Sequence, residues 1–172
     1  MIRIGITGSI AMGKSTIANV FKYFGIQVHD SDSVVKCLID KNIQVIAKIK
    51  KNWPEVLNKE KLINKAKLRK IIFTNEKDKS KLEKILHPMV KKNRMEFEEK
   101  YNQHKILAFD IPLLYETKQE EEFDYIFLAT CSKKTQFKRA MNRDNLDSEM
   151  FDKINSSQFS IKKKKFLQPN YY

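Results

Sequence analysis

The sequence predicts an α/β fold, a parallel sheet flanked by helices, with a long helical segment inserted between its two halves. Two observations carry this reading. Short apolar strands occur at both ends of the 172-residue chain and give way to helical spacing in between, and all four glycines, Gly5, Gly8, Gly13 and Gly25, fall before residue 26.

The first strand is "MIRIGIT", where Ile2, Ile4 and Ile6 alternate and the run ends at glycine. After "GKS", Ile17, Val20, Phe21 and Phe24 recur at i, i+3, i+4 and i+7, one face of a helix, and Gly25 supplies a left-handed stop. "IQVHD" is a second strand, so the first thirty residues form a strand, glycine loop, helix and strand, whose crossover requires parallel pairing. From Ser31 to about Gln103 there is no glycine, and Leu82, Ile85, Leu86, Met89, Val90, Phe97 and Tyr101 mark a helical stripe that Pro88 should kink or restart. Strand character returns in "KILAFDIP" and "FDYIFLAT", each followed by helix-prone sequence.

Composition narrows the chemistry. The net charge is +13, which suits anionic partners, but only five of the 34 basic residues are arginine, the side chain that grips phosphate bidentately. A solvated lysine surface and a basic patch both remain open. Cys37 and Cys131 lie far apart with no metal-ligand spacing, so they read as reduced packing residues. No apolar run approaches the roughly 18 residues of a membrane span, and nothing resembles a signal peptide, which predicts a cytoplasmic protein without a membrane partner.

The glycines concentrate around "GSIAMGKST", the pattern G-x-x-x-x-G-K-[ST] between a predicted strand and a predicted helix. Its backbone N–H groups turn inward around a polyphosphate, a path that side chains obstruct, and the helix N-terminus adds positive potential. Gly8, Ala11, Met12, Gly13, Lys14, Ser15 and Thr16 are the expected ATP-binding residues. Lys14 would meet the β and γ phosphates and the Ser15 hydroxyl would ligate Mg²⁺. No glycine follows residue 25, which disfavours switch GTPases and transport ATPases, and "ILAFD" ends in Asp110 followed by Ile111 rather than a water-orienting Glu. A small-molecule kinase needs a base beside the loop, and "HDSD" offers Asp30 and Asp32, although Asp30 or Ser31 could equally cap the next helix. "KKTQFKRAMNRD" places Arg139 and Arg143 at i and i+4, suited to a lid over ATP or to a solvated helix.

These landmarks, with "GIQVHDSDSV", "ILHPMV", "DIPLLYE", "QFKRAMNRD" and Gln158 in order, resemble the dephospho-CoA kinase family across almost the whole chain. The resemblance implies ATP-dependent phosphorylation of the ribose 3′-hydroxyl of dephospho-CoA, the last step of CoA synthesis, by a phosphotransferase with an alcohol acceptor. It implies a P-loop NTPase-type, five-stranded parallel sheet of the nucleoside-monophosphate-kinase kind over 1–32 and 104–172, with a lid helix near 132–144. A helical CoA-binding insertion would occupy 33–103. Asp32 matches the catalytic base and Arg139 the lid arginine, while His87, Asp110 and Glu116 match acceptor-side positions. ATP with Mg²⁺ and dephospho-CoA are the implied partners, with no specific nucleic acid and no membrane; the sequence does not give the oligomeric state, and a monomer is the expectation. The alternatives are a shikimate-kinase-like enzyme or a catalytically impaired, polyanion-binding product.

Three departures from the family pattern stand out. Ser9 and Ala11 replace usual glycines, and Lys36 replaces a usual His or Arg. The family continues after Gln158 to a strand of the type A-D-x-V-I-x-N and a last helix, whereas this chain reads "IKKKKFLQPNYY". A one-base slip in an adenine run is the expectation there. It would leave an unrelated tail, an exposed apolar edge at Tyr125–Thr130, aggregation and weakened ATP binding.

Overall fold

The computed structural model describes residues 1–142 and 146–168, which divide into two compact units, 1–31 with 98–168 and 32–97.

The first unit is built on four parallel strands, β1 (Ile2–Thr7), β2 (Gln27–Asp30), β3 (Ile106–Asp110) and β4 (Tyr125–Leu128), in the order β2-β3-β1-β4. β2 is therefore not β1's neighbour, as the first thirty residues alone suggest. β3, some seventy-five residues further along, slots between them, pairing Ile6 with Asp110 on one side and Asp30 with Asp110 on the other. The crossover helix α1 (Lys14–Tyr23) packs Ala18, Ile17 and Phe21 onto Ile4, Ile6 and Ala108, and Gly25 at φ 76° turns the chain into β2. Leu107 and Phe109 alternate with Ile106 and Ala108 along β3, and Leu107, Ala108 and Phe109 are fully buried.

Among the described residues β4 stands at one end of the strand order, with Tyr125 and Phe127 exposed but Ile126 and Ala129 buried. The fifth strand that the resemblance implies is not among the described residues. After β4 come α6 (Lys133–Met141), α7 (Ser148–Ser156) and α8 (Ile161–Phe166), begun by Ser132, Asp147 and Ser160, whose side chains accept from Thr135, Met150 and Lys163 amides. Lys164 is fully buried with its Nζ 3.0 Å from Glu116 Oε1, and Gln168 Nε2 donates to the Ile126 carbonyl on β4 at 3.0 Å. An apolar-and-charged run that looks featureless thus packs because one lysine in four finds a buried carboxylate.

The second unit is helical: α2 (Ser31–Lys41) leads into it, followed by α3 (Ile43–Asn52), α4 (Lys65–Thr74) and most of α5 (Glu76–Lys100). Its core gathers Val45, Ile49, Trp53, Val56, Leu68, Leu82 and Leu86, and the Trp53 indole N–H donates to Asp78 at 3.0 Å. Asn42 and Asn64 cap α3 and α4. Pro88 neither breaks nor restarts α5, which runs through it as one helix. Cys37 is exposed, so it is not the packing residue the composition suggested. Among the described residues no helix is long and apolar enough to cross a membrane.

Candidate active site

β1 ends at Thr7, and the chain turns through residues 8–13 before α1 begins at Lys14. Glycine is needed at Gly8 because a Cβ there would lie 2.9 Å from the Ala129 carbonyl oxygen, too close for any side chain. Gly13 caps α1 at φ 99°, a left-handed conformation that L side chains resist. Between them the Met12 amide donates to the Ser9 carbonyl at 3.2 Å. The amides of Ala11, Gly13, Lys14 and Ser15 make no hydrogen bond within the described residues. They are the donors that a loop and helix N-terminus offer to an anion.

Ala11 takes φ 58° although it is not glycine, and its methyl is buried against Ala140 of α6 and Phe151 of α7. Met12 is buried too, and its sulfur accepts the Cys131 amide at 3.3 Å. Ser15 and Thr16 are exposed on the first turn of α1.

Lys14 forms an ion pair with Asp110, which is 3% exposed at the C-terminal end of β3. The register explains the meeting. Asp110 is level with Ile6, one residue before the end of β1, and level with Asp30 on the opposite side, so two strand ends place their carboxylates on the rim where β1 runs into the loop before Lys14. Arg139 also comes to the loop, with its Nη1 3.2 Å from where a Cβ on Gly13 would stand. The expected partner, Arg143, lies outside the described residues.

Glu116, expected on the acceptor side, is buried in the first unit: its Oε1 accepts the Phe159 amide at 2.8 Å and lies 3.0 Å from Lys164 Nζ, so this oxygen fastens residues 159–164, while its Oε2 has no hydrogen-bond partner among the described residues. Asp32, the second residue of α2, and His87, in the middle of α5, are both exposed and belong to the second unit. The structure thus brings together Gly8–Thr16, Asp110 and Arg139 within one unit. Sequence reasoning missed Gln136, which is buried on α6 and bonded to the Ile10 carbonyl. Its only signal is its place three residues before Arg139, on the same helix face.

A parallel sheet whose first strand runs into a phosphate loop, with the loop lysine held by a carboxylate at a neighbouring strand end, defines a P-loop phosphotransferase. The family model described as dephospho-CoA kinase matches residues 2–169, and the chain belongs to that family. A dephospho-CoA kinase from Bartonella quintana is 38% identical over 164 residues, covering 94% of this chain and 83% of the relative. One from Listeria innocua is 36% identical over 149 residues, 85% of this chain and 74% of the relative. Among solved structures, one from Thermus thermophilus has a TM-score of 0.84 at 26% identity over 97% of this chain and 85% of its own. A dephospho-CoA kinase from Campylobacter jejuni has a TM-score of 0.66 at 26% identity, covering 99% and 89%.

Proposed function

We propose that the chain transfers the γ-phosphoryl group of ATP to the ribose 3′-hydroxyl of dephospho-CoA, giving CoA and ADP. The observation that carries the reading is the ion pair of Lys14 with Asp110 beside free loop amides, inside a chain of this family. Polyphosphate entering the loop would accept from the amides of Ala11, Gly13, Lys14 and Ser15, and Lys14 would turn from Asp110 toward the β and γ oxygens.

Asp32 takes the proton of the 3′-hydroxyl as that oxygen attacks the γ-phosphorus and the bond to the β-γ bridging oxygen breaks. Arg139, already against Gly13, stabilises charge on the transferring group. His87 and Asp110 contribute on the acceptor side.

Among the described residues no group of three or more His, Cys, Asp or Glu is placed to hold a metal ion. The donor set fits Mg²⁺ all the same, because this ion takes few protein ligands and completes its shell with phosphate oxygens and water, and the exposed Ser15 hydroxyl and the nearby Asp110 are oxygen donors. Mg²⁺ bound there would neutralise charge across the β and γ phosphates. The reading is of a cytoplasmic monomer that needs neither nucleic acid nor membrane.

The test is ADP release measured with and without dephospho-CoA. Release should depend on dephospho-CoA and disappear in Lys14→Ala. Dependence on another alcohol, or normal turnover in Lys14→Ala, would overturn the assignment.

A further inference from the structure

We propose that Gln136 and Gln158 are positioning residues that clamp the phosphate loop from both sides of Ile10, an inference that rests on the nucleotide-binding role given to that loop above. Ile10 lies midway between Gly8 and Gly13, and both of its backbone groups are bonded to glutamine side chains from far along the chain. Its N–H donates to Gln158 Oε1 at 2.9 Å, and its carbonyl accepts from Gln136 Nε2 at 2.9 Å. Gln136 is 4% exposed, and its Nε2 also donates to Asn155 Oδ1 at 3.1 Å, which joins α6 to α7 beside the loop.

Holding the N–H and the carbonyl of one residue fixes the peptide planes on either side of it. The residue that follows is Ala11, at φ 58°, a conformation that disfavours any residue with a Cβ. Neither position 9 nor position 11 is glycine, so this loop cannot rely on glycine to reach its path through the middle. Gln158 holds the peptide plane that enters Ile10, Gln136 holds the plane that enters Ala11, and the buried contacts of the Ala11 methyl with Ala140 and Phe151 hold that residue itself. The Ile10 amide is thereby spent on Gln158, leaving the free amides of Ala11, Gly13, Lys14 and Ser15 to face an anion.

Glutamine suits both positions because its amide group offers a donor and an acceptor without charge beside a phosphate site. Methionine is close in length and shape and supplies neither group. In Gln158→Met the Ile10 N–H, and in Gln136→Met its carbonyl, loses a partner in a partly buried place, and the loop is free to leave the binding conformation.

The measurement is calorimetric binding of ATP and of inorganic tripolyphosphate to Gln136→Met, Gln158→Met and Lys14→Ala. Each glutamine variant should weaken both ligands by roughly 5- to 100-fold, the range for an orphaned buried backbone group. The loss should be equal for the two ligands because the clamp acts on the phosphate cradle, and KM for dephospho-CoA should stay unchanged. ATP and tripolyphosphate affinity within twofold of the parent in a folded variant overturns the proposal, as does a loss confined to ATP. Lys14→Ala separates the two readings: if it weakens tripolyphosphate while the glutamine variants do not, the clamp alone fails, and if none of the three does, the loop's nucleotide role fails with it. Hydrogen exchange on the unaltered protein gives a check independent of variant folding. The Ile10 amide should be protected, and exchange at the rate of an unstructured peptide would overturn the clamp.

Discussion

Replacing Lys164 with methionine should be the most destabilising single change in the "KKKK" run, although its neighbours in sequence are also lysines. Lys164 is fully buried and its Nζ lies 3.0 Å from Glu116 Oε1, whereas Lys162 and Lys165 are exposed. Methionine fills most of the lysine's volume, so the loss is electrostatic rather than a cavity: the Glu116 side chain, 11% exposed, is left without its cation. Removing one partner of a buried pair costs about 3 to 5 kcal/mol. The Phe159 amide still donates to Glu116, which argues for the lower end, about 3 kcal/mol. At about 2 to 4 °C per kcal/mol for a chain of this size, the midpoint should fall by about 6 to 12 °C. Thermal and urea unfolding followed by far-ultraviolet circular dichroism would read it, since the single tryptophan, Trp53, lies in the other unit. Lys162→Met and Lys165→Met should stay within about 0.5 kcal/mol of the parent. Adding Glu116→Gln to Lys164→Met should recover most of the loss, because the amide oxygen still accepts from Phe159 and no charge remains buried. If Lys164→Met matches the exposed-lysine controls, or if Glu116→Gln recovers nothing, the buried pair is not what holds α8.

Three further outcomes concern the reaction. Asp32→Asn should leave ATP affinity nearly intact in calorimetry while lowering kcat roughly 100- to 10,000-fold, the usual range for a general base; a fall in ATP affinity with turnover preserved would make Asp32 structural. Arg139→Lys should lower kcat more than it raises KM for ATP, since lysine keeps the charge but loses the planar fork, and an unchanged kcat would return Arg139 to the role of a solvated helix residue. Gly8→Ala puts a methyl 2.9 Å from the Ala129 carbonyl oxygen, so the loop must shift, and tripolyphosphate affinity should drop without loss of fold; unaltered binding would mean that the loop tolerates a wider path.

The local pattern of residues determined much of this protein. Alternating isoleucines before a glycine specify β1, the i, i+3, i+4 spacing after Lys14 specifies α1, and the glycine spacing between them specifies a phosphate loop, because each is a rule about neighbours in the chain. Helix-capping Asn42, Asn64, Asp147 and Ser160 are likewise short-range chemistry. Other features depended on which distant segments meet. That β3 inserts between β1 and β2, bringing Asp110 to Lys14, is a choice of strand order that no window of sequence contains. Pro88 reads as a kink or a restart, yet α5 runs through it as one helix, as tertiary packing of Leu82 and Leu86 in their core outweighs one lost backbone bond. That one oxygen of Glu116 meets both Lys164 and the Phe159 amide likewise depends on distant segments coming together. Burial decides such cases: a lysine or glutamine reads the same in sequence whether it is solvated or enclosed, and only in the enclosed state must its polar group find a partner. Lys164 among four lysines and Gln136 below Ile10 acquire their meaning from that requirement.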